Sequence, residues 1–332
     1  MRLGVSWVVG DIRRYPELVE RSENAGFEVI GVPDTQAPAY RNVYVAMTLA
    51  VCATRAATVM SMVTNPRTRH PGVTANALST LAELSGGRVA CGIGTGDSAV
   101  AGLGLPPATR RELTEYVAEL RHRWRDVPDP PPVLLAAEGP KLATLAGAIG
   151  DGALLAGDLS PGRIAWYRDH IRTGADRDLP ADYPMWGLLR TSVDDDPDRA
   201  LHRAAPAIAA AANHAYRAGF AHTSLDVDTR DRIGRLRAGY RVVAHNDFAA
   251  DQQDSNANAA LLRDLGLTRP LADRFALAGT PTRCADRLRA LERAGLHHVI
   301  IRPVTTDPWG FLGQWRTIAA GLTRPNPVAP PA

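Results

Sequence analysis

Residues 58–98 decide the fold: Thr58-Val-Met-Ser-Met-Val-Thr-Asn-Pro66, then Thr68-Arg-His-Pro-Gly72, an apolar pattern of helical spacing, and Arg88-Val-Ala-Cys-Gly-Ile-Gly-Thr-Gly-Asp-Ser98. The stretch reads as strand, polar loop, helix, strand and glycine-rich loop. The first strand, 58–64, stops where Pro66 removes a ladder donor and Asn65 favours a turn. The second ends in Gly92-Ile-Gly-Thr-Gly-Asp97, whose backbone N–H groups can approach an anion. Parallel strands joined by a crossover helix deliver both loops to the same end of a sheet.

The same alternation continues on either side. Short apolar runs at 3–8, 29–32, 133–137, 152–156, 185–193 and 298–303 read as strands. Between them, amphipathic stretches open with Pro16, Pro140, Pro161, Pro197 and Pro281 and close near glycines, as helices do. About eight βα units predict a closed TIM (β/α)₈ barrel rather than an open doubly wound sheet. One domain over 1–323 is expected, with an insertion at about 205–275 between the seventh strand and the last barrel helix. The insertion holds polar, turn-like segments at 226–232 and 251–258 around an apolar 240–245, and reads as a lid or a dimerisation element. The Pro-rich 324–332 is expected to be disordered.

With 45% hydrophobic residues in 332, the chain can bury a large core. A net charge of +3, with arginines spread along the chain, argues against a nucleic-acid surface. No apolar run reaches the roughly 18 residues of a membrane span, and the first residues lack a signal-peptide pattern. Three cysteines without a CxxC pair predict free thiols in a cytoplasmic protein, and no metal-ligand spacing occurs.

Gly92-x-Gly94-x-x-Asp97 lacks the third glycine of a dinucleotide fingerprint, and no helix is expected to start there; a phosphate loop or a plain turn remain open. Ala137-Glu138-Gly139-Pro140-Lys141 puts a helix N-terminus at the mouth, a second anion candidate. Asp34 and Asp97 follow strands, where carboxylates reach the mouth, although Asp97 also suits an Asx-type cap. His70 before Pro71 suits a helix cap. Arg190 and Arg302 interrupt apolar strands, so each should face an anion or an ion-pair partner. His245 in the insertion is a candidate lid residue. Nucleophile-elbow, P-loop and HExxH motifs are absent, which favours a cofactor carrying the chemistry.

The segments 63–71, 81–88 and 91–97, with Glu138-Gly-Pro-Lys141, Gly147, Gly150-Asp-Gly152, Gly279-Thr-Pro281 and Ile301-Arg-Pro303, resemble the bacterial luciferase-like superfamily. They look most like its branch of coenzyme F420-dependent methylenetetrahydromethanopterin reductases. The resemblance implies a non-prolyl cis peptide at Met62-Val63, supporting one face of a flavin-type ring at the barrel mouth. It implies cofactor contacts from Asp34, Met62, Val63, Thr64, Gly94, Thr95, Gly96, Ser98, Ala137, Glu138, Gly139, Pro140 and Lys141. Substrate contacts would come from Ser6, Trp7, Arg190, His245 and Arg302, with Asp97 orienting or protonating the substrate. Two positions depart: Ser6 stands where the reductases carry a carboxylate, and Thr35 where F420-dependent dehydrogenases carry a histidine. The implied function is F420-dependent reduction of a C=C or C=N bond in a small, possibly anionic metabolite, by a homodimer. The alternatives are an FMN-dependent monooxygenase and a cofactor-binding protein without catalysis.

Overall fold

The computed structural model describes residues 1–37, 40–217, 219–241 and 256–323. Seven parallel strands follow one another: β1 (Arg2–Ser6), β2 (Val29–Val32), β3 (Thr58–Ser61), β4 (Val89–Ile93), β5 (Val133–Ala136), β6 (Gly152–Leu155) and β7 (Met185–Val193). The last strand, β9 (His298–Pro303), pairs with β7 on one side and β1 on the other, closing an eight-stranded ring. The expected TIM barrel is therefore present. An extra strand, β8 (Ala276–Gly279), pairs with Arg190–Val193 beyond the point where β6 leaves β7. Sequence reading missed it, because Ala-Leu-Ala-Gly is too short and too small to stand out from the helix before it.

Strand β3 also ends earlier than expected. The peptide between Met62 and Val63 is cis, as the family resemblance implies. Pairing resumes at Thr64, whose N–H donates to Gly92 O at 2.9 Å while its own carbonyl accepts from Gly94 N at 2.9 Å.

The barrel helices are α1 (Tyr15–Asn24), α2 (Val43–Ala53), α3 (Pro71–Ser85), α4 (Asp97–Ala101), α5 (Arg110–Arg123), α6 (Pro140–Ile149) and α7 (Pro161–Gly174). Their ends have local causes. His70 Nδ1 accepts from Gly72 N at 3.1 Å, Thr109 and Glu112 form a capping box, and Gly86 closes α3 at φ 66°. Short α4 is a correction, since no helix was expected to open at Asp97.

The regular elements of the insertion are all helices among the described residues. It comprises α8 (Pro197–Ala215), α9 (Val227–Ala238), α10 (Ala257–Asp264) and α11 (Thr268–Phe275). Asp226, read as part of a turn, is the N-cap of α9 and accepts from Thr229 N at 2.7 Å. Asn256 caps α10 in the same way. These helices bury their own core, including Ile208, Tyr216, Ile233, Leu262 and Phe275. The 324–332 tail lies outside the described residues. Helices α12 (Pro281–Arg293) and α13 (Pro308–Thr323) complete the barrel. No helix among the described residues is long and apolar enough to cross a membrane.

Inside the ring, Val29, Met60, Ala90, Leu134, Leu154, Trp186 and Ile300 fill the lumen, so the barrel is a packed core. Its N-terminal end is sealed by Trp186, with His298 at 4.9 Å and the Arg2 guanidinium 5.7 Å above the ring. Outside, α6 and α7 approach backbone to backbone: a Cβ on Gly147 would collide with Ile171 O, and one on Gly174 with Thr144 O. That contact sets where the α6 N-terminus stands at the mouth.

Two outcomes follow. Gly147→Ala must push the helices apart, so thermal unfolding by circular dichroism should show a loss of about 1–3 kcal/mol; an unchanged midpoint refutes the close contact. Burial, with Arg2 nearby, lowers the His298 pKa from 6.5 to about 4. The unfolded chain therefore binds more protons between those values, and stability falls as pH drops through that window. His298→Gln should flatten the decline between pH 6.5 and 4; a variant tracking the wild type removes His298 from it.

Candidate functional site

The C-terminal ends of the eight ring strands, or the loops that follow them, all send residues to one cavity of about 1220 Å³. This exceeds the roughly 300–1,000 Å³ of an ordinary small-molecule pocket and leaves room for two ligands. Its walls differ in chemistry. Met62, Val63, Ala136, Leu154 and Leu188 form an apolar side, and Ala207, Ala210 and Ala211 of α8 form a second. Glycine keeps the first side open: a Cβ on Gly94 would lie 3.0 Å from Ala136 Cβ and 3.3 Å from Val63 Cγ2. Gly96, at φ 87°, turns the chain into α4, and a Cβ there would meet Asn65 Cβ at 2.8 Å.

The cationic side comes from strand register. Arg190 on β7 pairs directly with Arg302 on β9, and both line the cavity. Arg190 Nη1 donates to Ala156 O at 3.3 Å. Burial pushes its guanidinium down to about 10, partly offset by Glu138, so it stays cationic at neutral pH. Arg302 donates to Ser6 Oγ and to Tyr40 Oη, each at 3.4 Å. Neither arginine forms an ion pair among the described residues. Two like charges opposite each other on adjacent strands are unfavourable unless an anion lies between them.

Asp97 stands where expected but in a different state. Its Oδ2 accepts from Arg217 Nη1 at 2.9 Å and lies 3.1 Å from His214 Nδ1. The His214 hydrogen bond, with the charge of Arg217, lowers its pKa to about 2. A group in that state gives no proton near neutrality, which corrects the protonating half of its expected role.

Other expected residues divide between the wall and its support. Thr95, Glu138 and Trp7 line the cavity; Trp7 also donates to Ser22 Oγ at 3.0 Å and packs edge-on against Phe311. Asp34 does not reach it, a correction. Its buried carboxylate accepts from Thr64 Oγ1 at 2.8 Å and Arg69 Nη2 at 3.1 Å, holding the loop behind the cis peptide. Thr64 and Ser6 are likewise buried outside the lining. Ala137 is buried, Gly139 and Pro140 are half-buried and Lys141 is exposed, all off the lining; the segment reaches the cavity through Glu138, before α6, and Leu142, in its first turn. Ser98 occupies the second position of α4. His245 lies outside the described residues.

Sequence reading missed His214, Arg217, Tyr40 and the alanine face of α8. A signal for the last existed: positions 207, 210, 211 and 214 follow the i, i+3, i+4, i+7 spacing of one helix face.

Comparison with known proteins agrees with this geometry. Over 331 aligned residues, the chain is 27% identical to a 5,10-methylenetetrahydromethanopterin reductase of Archaeoglobus fulgidus, covering 90% of this chain and 92% of that one. It is 33% identical to an F420-dependent glucose-6-phosphate dehydrogenase of Beutenbergia cavernae over 165 residues, 40% of this chain and 47% of the other. Among solved structures, the coenzyme F420 dependent tetrahydromethanopterin reductase of Methanopyrus kandleri shares the fold with a TM-score of 0.69 and 20% identity, covering 96% and 97% of the two chains. The family model for luciferase-like monooxygenases matches residues 4–298. With the barrel, the cis peptide and the mouth cavity all in register with that match, the chain belongs to the luciferase-like monooxygenase family.

Proposed function

We propose that the protein is an F420-dependent oxidoreductase that reduces a C=C or C=N bond of a small, anionic metabolite. The observation that carries this reading is the division of one cavity into a flat apolar side and a cationic side without a carboxylate ion-pair partner among the described residues. The F420 reading draws support from relatives whose names specify that coenzyme or the methanopterin reduction.

The residues present suit a flavin-type ring. Met62, Val63 and Ala136 offer an apolar face, and Gly94 adds no side chain to crowd it. Thr95, Gly96 and the N-terminus of α6, with Glu138 just before it and Leu142 in its first turn, would hold the polar side chain of the coenzyme. When bound in its reduced form, F420 supplies a hydride from C5 of its deazaflavin ring. The chain's own contributions are to hold the acceptor against that side, through Arg190 and Arg302, and to exclude water with the alanine face of α8.

The rival reading, an FMN-dependent monooxygenase, follows from the family's broader name. Quenching of deazaflavin fluorescence on titration separates them. Saturable binding of F420, with FMN failing to bind stoichiometrically, is expected; tight FMN binding with none of F420 sinks the proposal. Arg190→Met and Arg302→Met should each raise KM for an anionic acceptor by about tenfold or more while leaving F420 affinity unchanged, since a charged hydrogen bond contributes roughly 1.5–3 kcal/mol. Unaltered KM in both variants removes the anion site.

A further inference from the structure

Of the α8 residues in the cavity wall, Ala207, Ala210, Ala211 and His214, three are alanines and His214 is the polar one. It is half-buried, and its Nδ1 lies 3.1 Å from Asp97 Oδ2. Asp97 is a carboxylate at any working pH and can only accept a hydrogen bond. The hydrogen of that contact therefore sits on Nδ1, which leaves Nε2 as the ring's other nitrogen. Arg217, just past the end of α8, shares the same Oδ2 at 2.9 Å and holds the carboxylate in place. The arrangement is a carboxylate orienting an imidazole on a helix that covers the cavity. The position after β2, where F420-dependent dehydrogenases are expected to carry a histidine, is Thr35 here.

We propose that His214 is the catalytic proton-transfer residue of this site, with Asp97 as its positioning residue. The proposal rests on the reading of the protein as a C=C or C=N reductase. Such a reduction consumes one hydride and one proton. As the hydride from reduced deazaflavin bonds to one end of the double bond, the π electron pair bonds the other end to the hydrogen leaving Nε2. The N–H electron pair stays on the imidazole, which then takes a proton from water. Asp97 remains a carboxylate throughout and fixes the ring orientation and tautomer.

The test uses the full-length protein with His214→Gln and Asp97→Asn. In histidine ¹H–¹⁵N spectra of the wild type, neutral His214 is expected as the Nδ1–H tautomer, and Asp97→Asn is expected to shift the ring toward a tautomer mixture. An Nε2–H tautomer in the wild type overturns the proposal, whatever the variants do. Reduced F420 is then offered to each protein with cyclic enones and cyclic imines as acceptors. His214→Gln is expected to lose about 100-fold or more in kcat with KM within about threefold, the size of a missing general acid. Equal kcat in wild type and His214→Gln overturns the proton role and leaves the reductase reading standing. A wild type that binds reduced F420 but turns over none of these acceptors overturns the reductase reading and this proposal with it.

Discussion

The mouth of this protein depends on how β7 closes the ring. Nine residues long, β7 pairs with β6 through its first residues, with β9 along most of its length and with β8 through its last four. Parallel ladders hold their register by evenly spaced hydrogen bonds. The partner of Arg190 is thus set by the backbone: it is Arg302 on one side and Ala276 on the other. A one-residue slip of β7 would turn Arg190 from the cavity to the helix layer and leave Arg302 without its counterpart. The charge that this costs the apo protein is an electrostatic preference built into the sheet.

The same strand hands the chain to the insertion. Helix α8 leaves β7 through Asp194 and Asp196, the latter capping its first turn, and then runs back across the mouth. Its far end is fixed by Tyr216, whose hydroxyl donates to the buried Asp158 at 3.0 Å, and by Arg274 of α11 on the same carboxylate at 2.7 Å. Breaking one partner of a buried pair leaves an uncompensated charge, which resists movement of this end. The helix is held at both ends with small side chains between them, so the cavity owes its width to alanine.

These origins explain what could be read in advance. The barrel, its strand order and the ends of most helices follow from local causes: apolar runs, prolines at first helical turns and glycines at C-caps. The cis peptide and the Gly94–Asp97 loop were legible through the family motif. Asp34 was misplaced because its position after β2 is right for a mouth residue. What turns it inward is Arg69, 35 residues away in sequence, whose guanidinium fills its coordination. Asp97 was expected to orient or protonate the substrate; the partners that hold it as a carboxylate, His214 and Arg217, come from the end of α8, early in the insertion, with Arg217 120 residues further on. Spacing along a chain carries no record of such pairings. Strand β8 failed for a different reason: four small residues have no periodicity to read.

The division of labour at the mouth therefore follows the division of the chain. Ring strands supply the parts that must not move: the apolar side, the glycine clearance at Gly94 and the arginine pair. The insertion supplies Ala207–Ala211 and His214, contributed by a helix with its own core, separate from the barrel's. Substitutions on the inward stripe of α8 can reshape the cavity wall without disturbing strand register, because no ladder hydrogen bond passes through that helix. Substitutions in β7 act on a strand whose backbone pairs with β6, β8 and β9. Change in the shape of the cavity is therefore expected to run through α8, whereas the apolar side is tied to the barrel and to the cis peptide at Met62-Val63.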